Sequence, residues 1–65
     1  MILTIQAPNK AKMNQGLWQC VMLGIEAEPF ADNTFEISVG DSSKADHIIS
    51  SCDGRVIHQE SSRYL

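Results

Sequence analysis

An α+β domain with the element order strand–helix–strand–strand–helix–strand is the fold this sequence predicts. Three observations carry that expectation. Four short segments have the apolar and polar alternation of half-buried strands. Two longer segments place their apolar residues at helical spacing. The chain also divides into two β-α-β halves, each with a glycine, Gly24 or Gly54, between the helix and the strand that follows.

Met1 to Ala7 reads as the first strand, with Leu3, Ile5 and Ala7 on one face and Ile2, Thr4 and Gln6 on the other. Pro8-Asn9 ends it, and Asn9 supplies the cap of a helix. Lys10 to Leu23 fits helical and strand periods alike, as dense apolar runs often do. Helix-forming residues from Lys10 to Gln15, the short connection and the stop at Gly24 favour a helix. Its core stripe would be Met13, Leu17, Cys20, Val21 and Gly24, with Ala11, Trp18 and Met22 beside it. Gly16 costs this helix about 1 kcal/mol relative to alanine.

Ile25 to Phe30 reads as a strand with Ile25 and Ala27 inward, and Pro29 places it at a sheet edge. Asp32-Asn33 is a turn into Thr34–Val39, where Phe35, Ile37 and Val39 share the inner face. Gly40-Asp41-Ser42-Ser43 breaks that strand, and Ser43 with Asp46 resembles a weak capping box. Ala45, Ile48, Ile49 and Cys52 then follow helical spacing to a stop at Gly54. Arg55 to Glu60 is the last strand, and Ser61 to Leu65 a loosely packed tail.

Interlocked right-handed β-α-β crossovers of this kind give a four-stranded antiparallel sheet with two helices on one face. That is the ferredoxin-like arrangement. The alternative, with Lys10–Leu23 extended, is a mostly antiparallel sheet with a single helix. The chain has 65 residues, reads as one domain from 1 to 65, and carries no linker or low-complexity tract.

Composition narrows the function. The longest apolar run, Cys20 to Leu23, is far short of a membrane span. Met1-Ile2-Leu3-Thr4 lacks the features of a signal peptide, which suggests a cytoplasmic protein with Cys20 and Cys52 as reduced thiols. A net charge of −3 disfavours binding to nucleic-acid phosphates. RNA-recognition domains of this layout stack bases on aromatic residues of the first and third strands. Here the first strand has none, and Phe35 turns to the helix side. Small metal-carrying domains of this shape have Cys-x-x-Cys after the first strand, where this chain has Pro8-Asn9-Lys10-Ala11. The spacing of Cys20, His47, Cys52 and His58 matches no short zinc signature, so neither a metal nor a cofactor is expected. Both cysteines fall on apolar stripes, where a thiol is inert, and His47 and His58 sit near no nucleophile in sequence.

The least ordinary segment is Leu17 to Leu23, in which every residue but Gln19 is apolar. A helix on a sheet needs an apolar stripe of only about 100°. Trp18 and Met22, four residues apart, therefore form a second ridge. Tryptophan and methionine are enriched at protein interfaces. The expected interface is Trp18, Met22 and Leu17, with the carboxylates Glu26, Glu28 and Glu36 available to a basic patch on the partner. Glu26, Glu28 and Glu36 would otherwise form an ordinary solvated sheet face. The function expected from these features is a non-enzymatic protein-interaction module. Its partner would be another protein chain, either a larger target or a second copy. Free-standing chains of this size are often inhibitors or adaptors from phages and other mobile elements. The alternative is a small ligand-binding regulatory domain acting as a dimer.

Overall fold

The computed structural model describes residues 1–60. The tail expected at Ser61–Leu65 lies outside them. The elements are β1 (Ile2–Gln6), α1 (Lys10–Leu23), β2 (Glu26–Ala31), β3 (Thr34–Ser38), α2 (Ser42–Cys52) and β4 (Arg55–Glu60). Lys10–Leu23 is helical, so the two-helix layout forms and the single-helix one does not. The strands make one antiparallel sheet in the order β2-β3-β1-β4, the ferredoxin-like arrangement.

Period-two patterning sorts the sheet's residues onto two faces. Leu3 lies opposite Ile37 and Ile5 opposite Phe35, and all four are buried under the helices. Thr4 lies opposite Glu36 on the other, open face. Ala7, Val39, Met13, Cys20, Ala45, Ile48 and Cys52 complete the core. Phe35, Ile5, Ile37 and Ile48 are its largest fully enclosed side chains.

Caps fix where each helix starts and stops. Asn9 accepts a hydrogen bond from the Lys12 backbone N–H at 2.8 Å, satisfying an otherwise orphaned donor of the first turn. At the other end Gly24 is left-handed (φ 71°), its N–H donates to the Val21 carbonyl and that of Ile25 to the Cys20 carbonyl. This pair of bonds is a Schellman closure. It consumes Ile25, so β2 begins at Glu26 and not at Ile25.

The second helix corrects two expectations. Its cap is Asp41, which accepts from the Lys44 backbone N–H at 3.0 Å and from the Ser43 hydroxyl at 2.7 Å. Ser43 thus supports the cap and does not supply it, and the Ser43/Asp46 box is not formed. The Ser43 hydroxyl, followed by the Lys44 N–H, holds the Asp41 carboxyl below its ordinary value. A depressed carboxyl stabilises the fold above its unfolded value near 3.8, and that contribution disappears as pH falls through the folded value. At the C-terminus Asp53, not Gly54, adopts the left-handed conformation (φ 51°). The Gly54 N–H then closes onto the Ile49 carbonyl at 3.0 Å.

Two glycines permit close packing. A Cβ on Gly16 would stand 3.0 Å from both Cys52 Cβ and Phe35 Cζ, so α1 and α2 cross against each other at this point. A Cβ on Gly54 would stand 2.7 Å from Ile5 Cγ2 and 2.8 Å from Cys52 Sγ, so the chain re-enters the sheet directly over the core. Lys12 Nζ and Asp53 Oδ2, 3.1 Å apart, join the start of α1 to the end of α2, and the two helices run antiparallel.

Both edge strands carry a β-bulge. On β2, Pro29 pairs with Phe35 and Ala31 with Thr34, which makes Phe30 the extra residue. On β4, His58 pairs with Thr4 and Val56 with Ile5, which makes Ile57 the extra residue. Bulges at sheet edges break the regular ladder and deter unlimited edge-to-edge stacking.

Candidate functional site

The outer side of α1 is the most unusual surface of the chain. Helical spacing turns Met13, Gly16 and Cys20 into the protein and Trp18 and Met22 away from it. Gln19 and Lys12 flank the buried stripe on the α2 side, where Gln19 Oε1 lies 3.3 Å from His47 Nε2. Leu17 and Val21 flank it on the other side. Trp18 is 66% exposed, Val21 66% and Met22 72%. Leu17 is half-buried and packs against the core, so it joins ridge to interior.

Val21 departs from its expected place in the core stripe. The arc that α1 buries runs through Met13, Gly16 and Cys20, with Gly16 against Cys52 of α2, and Val21 lies outside it. The outcome is a larger apolar ridge than Trp18 and Met22 alone would make. No charged residue occurs from Met13 to Ile25. A helix face turned to water normally carries charges, and this one carries an indole, a thioether and two branched side chains. A shallow groove of about 400 Å³ runs along it, lined by Asn14, Gln15, Leu17, Trp18 and Val21.

The expected carboxylates form a separate surface. Glu28 lies opposite Glu36, Glu36 opposite Thr4, and Thr4 opposite His58, in one row across the open sheet face. Glu26, Ser38, Ile2 and Glu60 make the next row. Like charges directly opposite in a sheet are mildly destabilising. Trp18, Met22 and Leu17 are thus brought together on the helix layer, while Glu26, Glu28 and Glu36 are brought together on the opposite side of the molecule. One flat partner cannot engage both surfaces.

The sequence did not point to Val21, nor to the exposed aromatic of β2, Phe30. The signal for Val21 was the surplus of apolar residues in Leu17–Leu23; for Phe30 it was the break in alternation at Pro29-Phe30.

The nucleophile candidates are enclosed. Burial, and secondarily the nearby Cys52, push the Cys20 thiol up to about 11. Burial likewise raises Cys52, whose Sγ lies 3.7 Å from the Ile49 carbonyl it donates to. Both are therefore protonated at neutral pH, and a thiol is a poor nucleophile. An aromatic disulfide reagent is expected to label neither cysteine of the native protein at pH 7.5 within minutes, and both at once in 6 M guanidinium (about 6 M, well beyond the unfolding of a small domain). His58 Nε2 lies 3.4 Å from Glu60 Oε1 on the open face. Among the described residues no three His, Cys, Asp or Glu side chains converge as metal ligands, and no helix is long and apolar enough to cross a membrane. No protein-family model matches the chain, and no curated protein or solved structure is similar enough to it to count as a match.

Proposed function

We propose that this chain is a non-enzymatic protein-interaction module that docks on a larger protein through the outer ridge of α1. The observation that carries this reading is the uncharged, solvent-facing row of Trp18, Val21 and Met22. Covering such side chains releases roughly 25 cal/mol per Å² of apolar surface. Tryptophan at the centre of a contact often dominates its energy. The small size of the chain suits an inhibitor or adaptor of the kind phages and other mobile elements encode. Its two protonated thiols suit a reducing compartment such as the cytoplasm.

The test compares capture by the native chain with capture by Trp18→Ala and Met22→Glu. Both residues are exposed, so far-UV circular dichroism and the melting temperature should stay close to native. A target retained by the native chain should be lost by at least tenfold in either variant. Equal retention by all three proteins would sink the reading.

The groove along α1 favours a second reading, a small ligand-binding regulatory domain. Its volume of about 400 Å³ lies within the range of small-molecule sites. That reading requires the melting temperature to rise with a small apolar compound, and the rise to vanish in Trp18→Ala.

A further inference from the structure

The two edges of the sheet are not equivalent. The β2 edge is blunted by Pro29, which has no N–H to offer, and by Glu26 and Glu28. The β4 edge has six residues and no proline, and two adjacent apolar side chains stand at its centre. Val56 is 40% exposed and Ile57 49%. The helices pack chiefly on each other, and α1 lies over β2 and β3. Among the described residues no strand pairs with its outer side.

The bulge at Ile57 gives this edge a hidden symmetry. Arg55, His58 and Glu60 lie opposite Gln6, Thr4 and Ile2 of β1, and all three therefore share the open face. Five positions separate Arg55 from Glu60, and without the extra residue they would point to opposite faces. With it, His58 becomes the midpoint of a run that is basic at one end and acidic at the other. Val56 and Ile57 stand on one side of that midpoint and Gln59 on the other.

We infer that β4 pairs with β4 of a second copy of this chain, antiparallel about a two-fold axis at His58, to make a continuous eight-stranded sheet. Charge complementarity selects this occupant. The two-fold places each Arg55 opposite the other chain's Glu60 on the same face, twice per dimer. It also sets Val56 and Ile57 of each chain against the aliphatic stem of Gln59 of the other. Arg55 already leans on the sheet through Gln6 Oε1, with Nη2 at 3.2 Å, which holds its guanidinium near the face where the opposing carboxylate arrives. An isologous contact of this type closes after two copies. The bulges then discourage further stacking. A strand-edge contact buries less than the roughly 1,600 Å² of a standard interface, so the dimer belongs at micromolar concentrations. The surface is distinct from the ridge of α1, and the inference does not rest on that ridge binding a target.

Light scattering behind size exclusion, run from micromolar to millimolar protein, reads the outcome. The native chain should rise from 7.2 kDa toward twice that mass with concentration. Arg55→Glu and Glu60→Arg should each weaken dimerisation about tenfold or more, because each places like charges opposite one another. The double variant Arg55→Glu/Glu60→Arg restores both pairs in reverse and should recover the native dimer within a few-fold. Ile57→Lys should be monomeric, while Trp18→Ala should remain dimeric. A native chain that stays at the monomer mass throughout overturns the inference. So does a dimer that survives Ile57→Lys, or one that Trp18→Ala dissolves. If Ile57→Lys fails to fold, the charge swaps decide alone, and a double variant no better than its parents overturns the pairing about His58.

Discussion

Phe35→Ala is expected to leave the chain largely unfolded at 37 °C, whereas Phe30→Ala should melt within a few degrees of the native protein. The two residues are the chain's only phenylalanines and lie in neighbouring strands. Phe35 is fully enclosed between Ile5 and Pro29 in the sheet and beneath Gly16 of α1. Removing such a ring costs about 3–5 kcal/mol, part for lost transfer and part for the cavity left behind. A domain of this length has a total stability of about 3–10 kcal/mol, so the loss takes a large share of it. Phe30 is the extra residue of an edge bulge and mostly in water, and surface truncations stay within about 0.5 kcal/mol. Thermal melts followed by far-UV circular dichroism distinguish the two. Similar melts for both variants would mean that Phe35 is not the centre of the core.

Gly54→Ala is expected to lower the melting temperature by roughly 10 °C, and Gly40→Ala to change it little. The added methyl at Gly54 would meet Ile5 Cγ2 at 2.7 Å, Cys52 Sγ at 2.8 Å and the Gln6 carbonyl at 3.2 Å. None of these can yield easily. Ile5 is β-branched and fully buried in the central strand, Cys52 closes α2, and Gln6 is backbone. Overpacking of this kind costs about 1–3 kcal/mol, and each kcal/mol moves the midpoint of a domain this small by about 4–8 °C. Gly40 has open space where its methyl would go. If both variants melt alike, the effect is one of loop entropy and not of contact with Ile5.

These two glycines and their neighbours also mark where reading from sequence succeeded and where it ran out. Alternation in Thr34–Val39 placed Phe35, Ile37 and Val39 in the core, and all three are buried there. Local pattern suffices when both faces of a strand differ in polarity. Cap chemistry at Asn9 and Gly24 was legible for the same reason, since it involves residues within one turn. Gly16 was read only as a weak point of the helix, yet it is where α1 touches Cys52 and Phe35. Such a crossing depends on other elements, β3 and α2, and leaves no periodic trace in α1. Val21 was assigned inward because a stripe of about 100° includes it, but the buried stripe runs through Met13, Gly16 and Cys20 and leaves Val21 in water. The stop of α2 expected at Gly54 falls one residue earlier, at Asp53, because an aspartate can also adopt the left-handed conformation. The exposed ridge was half legible. Sequence showed that Leu17–Leu23 had too many apolar residues to bury, but which of them stay outside was settled by packing. The bulges at Phe30 and Ile57 were not read at all, although adjacent apolar pairs in short edge strands were their trace.

The sheet order has a consequence for how the chain is made. β1 precedes the other three strands along the chain and lies in the middle, between β3 and β4, while β2 lies at the far edge. The first half of the chain, β1-α1-β2, therefore contains no two neighbouring strands. As the polypeptide leaves the ribosome, Ile2–Gln6 has no hydrogen-bonding partner until Thr34–Ser38 has emerged, and lacks its second until Arg55–Glu60 follows. The sheet is thus completed only when β4, the last of its four strands along the chain, closes against β1.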